Sequence, residues 1–127
     1  MSHFTKIETQ IKDIDALRSA CAELGLNLEQ DAKARGYVQN EIAGKYVIRL
    51  RGPYDIAVNQ SANGAYNLTC DWWAGHVEKE VGKNYGKLLQ LYGVHKALRE
   101  ARRKGCLVQR RNLQNGSIKL VIAGGVA

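Results

Sequence analysis

Apolar and polar positions alternate most regularly between residues 54 and 73. Tyr54, Ile56 and Val58 fall on one side of a first run, and Tyr66, Leu68, Cys70 and Trp72 on one side of a second. The loop Ser61-Ala62-Asn63-Gly64 separates them. Two alternating runs around an Asn-Gly step predict a β-hairpin with one buried face. Asp55, Asn59, Asn67, Thr69 and Asp71 then point to the other face. Trp72 and Trp73 end the second run on opposite sides. One belongs in the core, and the other caps the second helix or stands exposed as an anchor.

The same reading extends along the chain. His3 to Ile11 alternates loosely and predicts a first strand. Asp13 is placed as a helix N-cap with Asp15 in the first turn. Ile14, Leu17, Cys21 and Leu24 follow at helical spacing, and Gly25 supplies the left-handed stop. Residues 26–28 predict a short strand, and 29–45 a loop around an extended piece near Tyr37-Val38. Tyr46 to Arg51 reads as a strand. A long helix is expected over much of 77–103, weakened by Gly82, Gly86 and Gly93. Its apolar side carries Tyr85, Leu88, Leu91, Tyr92, His95 and Leu98, with His95 as a hydrogen-bonded core imidazole. Cys106–Arg111 and Ser117–Ile122 form a final hairpin across Asn115-Gly116. The expected fold is α+β in the order β-α-β-β-β-β-α-β-β. A mainly antiparallel sheet of six or seven strands has two amphipathic helices on one face and an open second face. Residues 1–122 make one domain, and 123–127 a frayed tail.

Composition changes this picture little. The 127 residues suit one domain, and 45% hydrophobic content with one proline argues against disorder. No apolar run reaches the length of a membrane span, and no secretory signal is read at Met1-Ser2-His3-Phe4. Cys21, Cys70 and Cys106 are widely spaced, sit at apolar positions and suit a reducing cytoplasm.

Charge changes it more. The formal net charge is +7, and residues 96–111 hold Lys96, Arg99, Arg102, Arg103, Lys104, Arg110 and Arg111 against Glu100 alone. A cluster of this kind attracts anionic partners. The same pattern also fits a solvated helix face. Lacking interleaved aromatics, the cluster would meet nucleic acid through phosphate rather than bases.

Other candidate chemistry is sparse. Asp55 and Asp71, on neighbouring strands, would form a carboxylate pair, or simply bind Arg49 and Arg51. His76 follows the tryptophans, but spacing names no nucleophile–base pair. The three histidines have no metal-ligand spacing, so no metal is expected. Ala43-Gly44-Lys45-Tyr46 lacks the upstream glycine and following Ser/Thr of a phosphate loop, so no cofactor is expected.

Several segments resemble one family of small proteins. They are the opening Ser2 to Asp13, Gly36-Tyr37, Tyr54 to Val58, Gly64 to Leu68, Asp71-Trp72-Trp73, Leu91 to His95 and Asn115 to Ile122. The family is called hypothetical chloroplast reading frame thirty-five. The resemblance covers the chain apart from its tail. It implies no catalytic activity, and its gene neighbours, a second small protein and an AAA-type ATPase, imply an accessory subunit. The chain departs from the family pattern after Trp73, where a longer polar and aromatic insertion is usual, and at Gly124-Gly125-Val126-Ala127, where a basic or aromatic end is usual.

Three functional readings follow. The first is a cytoplasmic, non-catalytic adaptor that docks to a protein through the open sheet face and the basic helix. The alternative is a nucleic-acid-binding module acting through the seven cations of 96–111. A third places an enzyme site at Asp55, Asp71 and His76, with Trp73 a further candidate site residue.

Overall fold

Asp13 starts the first helix by accepting hydrogen bonds from the amides of Asp15 and Ala16 at 3.0 and 3.1 Å. Gly25, with φ 75°, ends it; the Leu26 amide reaches back to the Cys21 carbonyl and the Gly25 amide to that of Ala22. This is the hydrogen-bond pair of a Schellman cap. In the computed structural model, which describes residues 3–124, the elements run β1 (Phe4–Glu8), α1 (Ile14–Glu23), β2 (Asn27–Arg35), β3 (Glu41–Arg49), β4 (Ile56–Gln60), β5 (Tyr66–Asp71), α2 (Glu78–Val81), α3 (Gly86–Arg103), β6 (Cys106–Asn112) and β7 (Ile118–Gly124).

The fold is α+β. Five antiparallel strands form one sheet in the order β1-β5-β4-β3-β2, and β6 and β7 form a separate antiparallel ribbon. The strands therefore number seven, but in two sheets rather than one. Beside one face of the main sheet, α1 and α3 enclose the core, in which Leu17, Ile48, Ile56, Val58, Leu68 and Leu88 are fully buried.

The second face of the sheet is not open. The predicted loop at 29–45 is instead the far half of a long β2–β3 hairpin. Asp31 takes φ 51° and interrupts the ladder between Gln30–Tyr46 and Ala32–Gly44. Side chains change sides there: Leu28 and Tyr46 pack on the helix-side core, whereas Ala32, Ala34 and Ile42 gather on Val47 and Ala57. Asn59 bridges the place where β3 leaves β4, accepting from the Lys45 amide and donating to the Ala43 carbonyl. Small residues let this flap lie close. A Cβ on Gly44 would press into the Tyr46 carbonyl and the Ala57 methyl, and one on Gly36 would sit 2.6 Å from the Phe4 ring. The flap thus covers the surface expected to receive a partner.

Two further expectations change. The single helix over 77–103 is broken into α2 and α3 by left-handed backbone at Gly82, Asn84 and Tyr85. Ala123 and Gly124, expected in the tail, belong to β7; residues 125–127 of that expected tail lie outside the described part.

Candidate functional site

Asp55 and Asp71 lie on the flap side, each two residues beyond the Ala57–Thr69 pair at which the β4–β5 ladder ends. That much of the carboxylate-pair reading holds, but the chemistry does not. Asp55 is fully buried and accepts five hydrogen bonds. Arg35 grips it with Nε at 2.7 Å and Nη2 at 2.9 Å, Arg49 adds Nη1 at 2.8 Å, and the amides of Arg35 and Leu50 complete the set. Burial alone would raise its pKa; the Arg35 hydrogen bonds and charge, with Arg49, outweigh this and hold it below the usual carboxylate range. An ionised carboxylate with its lone pairs saturated has no proton to give and no free lone pair for a metal. Arg49 is a partner as expected. Arg51 is not, since its guanidinium donates to the Leu24 carbonyl, and Arg35, from the flap, takes the leading role.

Asp71 is also buried and organises turns, accepting from the Tyr37 amide at 3.2 Å and the Trp73 amide at 3.0 Å. His76 packs its ring edge-on against Tyr54, 5.0 Å between centroids. Trp72 lies against Tyr85 at the core, while Trp73 is 45% exposed and meets Tyr37 edge-on at 5.3 Å. The flap tip beside it is strained: Val38, 71% exposed, takes φ 50°. A depression of about 620 Å³ adjoins this tip, lined by Arg35, Val38, Glu41, Pro53 and Tyr54, and not by Asp55, Asp71 or His76.

The basic cluster divides in two. Lys96 pairs with Glu100 one turn on, at 3.3 Å. Arg99 bonds the α1 cap Asp13 at 3.1 Å and lies 3.6 Å from Asp15. Arg110 makes a two-pronged bond to Glu23 at 2.7 and 2.8 Å, and His95 meets the same carboxylate at 2.8 Å from the rim of the core. These bonds, with Arg110 foremost, hold the Glu23 pKa down at about 2. Arg99 and Arg110 thus fasten α3 and β6 to α1. Arg102, Arg103 and Lys104 are exposed at the end of α3 and have no acidic partner among the described residues. Arg111 has no acidic partner among the described residues, and its guanidinium donates to the Gln109 side chain at 3.0 Å.

Sequence reasoning missed one member of this group. The β6–β7 register sets Lys119 directly opposite Arg111, both exposed, on the ribbon face that also carries Leu107, Val121 and Ala123. Leu107 is 78% exposed, and Ile122 on the other face is 53% exposed. The signal was available: an Asn-Gly hairpin fixes which residues oppose each other. On the first face the exposed Leu107 lies between cations, Arg102 to Lys104 near one end and Arg111 with Lys119 near the other, while Ile122 is exposed on the opposite face. Among the described residues no helix is long and apolar enough to cross a membrane.

Comparison with known proteins places the chain among relatives of the kind its motifs resemble. It is 32% identical over 127 residues to "Uncharacterized protein ycf35" of Guillardia theta, covering 96% of each chain. It is 27% identical over 124 residues to the protein of that name from Pyropia yezoensis, again covering 96% of each. No solved structure matches it. A family model described as protein of unknown function (DUF1257) matches residues 20–121, from within α1 to within β7, and the chain belongs to that family.

Proposed function

We propose that this protein is a cytoplasmic, non-catalytic adaptor that docks to an acidic protein surface through its C-terminal ribbon and the end of α3. The observation that carries this reading is the exposed pairing of Arg111 with Lys119. Like charges directly opposite each other weaken a hairpin, and an acidic partner would turn that cost into attraction. Leu107, on the same face, and Ile122, exposed across the ribbon, favour a protein over nucleic acid. Phosphate binding is mainly electrostatic and makes no use of exposed aliphatic side chains, whereas protein interfaces bury apolar centres inside charged rims. Arg99 and Arg110 drop out of the docking set, because breaking their ion pairs would loosen α1 from α3 and β6. The second small subunit and the AAA-type ATPase implied by the family resemblance are the partner classes to test first.

The tagged full chain, recovered from its host after nuclease treatment, should bring down one protein in stoichiometric amount. The variant Arg103→Glu/Arg111→Glu/Lys119→Glu should lose it while keeping the native circular dichroism spectrum. Capture that survives this charge reversal would overturn the reading, as would nucleic acid binding that falls steeply with salt and involves the same three residues.

A further inference from the structure

Of the strand edges in this fold, those of the main sheet are defended. β1 is only five residues long, and its sequence Phe-Thr-Lys-Ile-Glu includes two charges. β2 carries Glu29, Asp31, Lys33 and Arg35 and is kinked at Asp31. Short strands, charges and kinks are the usual guards against edge-to-edge pairing. β7 lacks them. It reads Ile-Lys-Leu-Val-Ile-Ala-Gly, seven residues with one charge and no proline.

The ribbon to which β7 belongs is structurally incomplete. Its backbone bonds join β6 to β7, and among the described residues no backbone hydrogen bond reaches either strand from another element. None of its side chains is fully buried. Two strands alone are marginal in water, and a third strand is the usual remedy. β6 is the strand that packs chiefly on α3, and its Arg110 is tied to Glu23. That leaves β7 the freer edge.

We propose that the partner adds an extended acidic segment as a third strand along the edge of β7. This deepens the docking reading above and rests on it. Charge selects the occupant. A second copy of this chain, pairing β7 with β7, would bring together two ribbons each bearing Arg111 and Lys119, in a chain of net charge +7. A segment with alternating acidic and apolar residues fits instead. Beside β7, one side of such a strand meets Lys119 and Val121, and the other meets Leu120 and Ile122, so acids on the first side approach Lys119 and Arg111 while aliphatic residues extend the second. Main-chain bonds to the edge supply affinity, and the alternating side chains supply selectivity.

Synthetic peptides of about eight residues, a strand's length, test this on the isotope-labelled full chain. The probe alternates glutamate and valine; one control replaces glutamate with lysine, and a second N-methylates alternate backbone amides of the glutamate peptide. With the probe at about ten times its dissociation constant, amide exchange in β7 should slow about tenfold, and neither control should have this effect. The exposed substitution Lys119→Glu should shift preference towards the lysine peptide. If the N-methylated peptide binds as well as the probe, or the probe binds at Arg103 and Arg111 while β7 amides exchange as before, strand addition is overturned and docking to an acidic partner stands. If no peptide binds, both readings are overturned.

Discussion

Asp55 shows how one residue's chemistry is set by what surrounds it. A carboxylate opposite another on an exposed sheet face would be a reasonable acid–base candidate, but the flap closes over it and delivers Arg35. Substitution to asparagine keeps the shape, removes the charge and leaves two guanidinium groups without their counterion. Breaking such a pair costs about 3–5 kcal/mol when the survivor stays buried. Arg35 and Arg49 are 45% and 27% exposed and can turn towards water, so about 3 kcal/mol is expected for Asp55→Asn. The depressed pKa fixes the pH dependence. The wild-type advantage is complete above the unfolded value of about 3.9 and disappears as pH falls through the folded value. Urea denaturation of both proteins at neutral pH and in acid measures it. Equal stabilities at neutral pH would show that the Arg35–Asp55–Arg49 cluster holds nothing together. The aspartate was legible as a sheet residue with arginine nearby. That its main partner is Arg35, twenty positions upstream, was not, because it depends on how the flap folds.

At the level of elements, legibility follows agreement among local signals. In α1 the Asp13 cap, the stripe Ile14, Leu17, Cys21 and Leu24, and the Gly25 stop all favour the same helix, and it forms as read. The β4–β5 hairpin forms for the same reason. The flap is the opposite case. Ala32, Ala34, Ala43 and Gly44 give little hydrophobic contrast, and the side-chain phase reverses at Asp31, so no single alternation runs through β2 or β3. Their small size is the useful clue in retrospect, since only small side chains let the hairpin lie against the sheet it came from. Gly36 is the sharpest instance. Its backbone, at φ −142°, is ordinary, so the constraint is space rather than conformation. Gly36→Ala would push a methyl into the Phe4 ring and prise the flap tip from β1. Overpacking of this kind costs about 1–3 kcal/mol. A thermal melt should show that loss, and Phe4→Ala combined with Gly36→Ala should lose less than the sum of the two single losses. Strict additivity would mean that the two residues do not meet.

Across the whole molecule, charge was legible as a count and illegible as a map. Seven cations in 96–111 stand out in the sequence, yet the partners of Arg99 and Arg110, Asp13 and Glu23, are more than eighty residues away. Only folding separates the cations that fasten the molecule from those left over. The fastening is concentrated at Glu23, which takes Arg110 from β6 and His95 from α3, while the Gln90 side chain donates to the Gly116 carbonyl in the ribbon turn and Ile118 packs on the core. With so few attachments, the ribbon should open more readily than the sheet. Glu23→Gln would keep the side chain's size and remove the negative charge that faces Arg110 and His95. For a partly exposed ion pair the loss is about 1 kcal/mol, or about fivefold in the opening equilibrium. Amide protection factors in β6 and β7 should fall by that amount, with those of β4 and β5 unchanged. Because the folded Glu23 pKa is held at about 2 against an unfolded value of about 4.3, the difference between wild type and variant should be full above the latter and vanish as pH falls towards the former. A uniform fall in protection across both sheets would show that the ribbon opens only with the whole fold, so that β7 has no separate freedom with which to receive a partner.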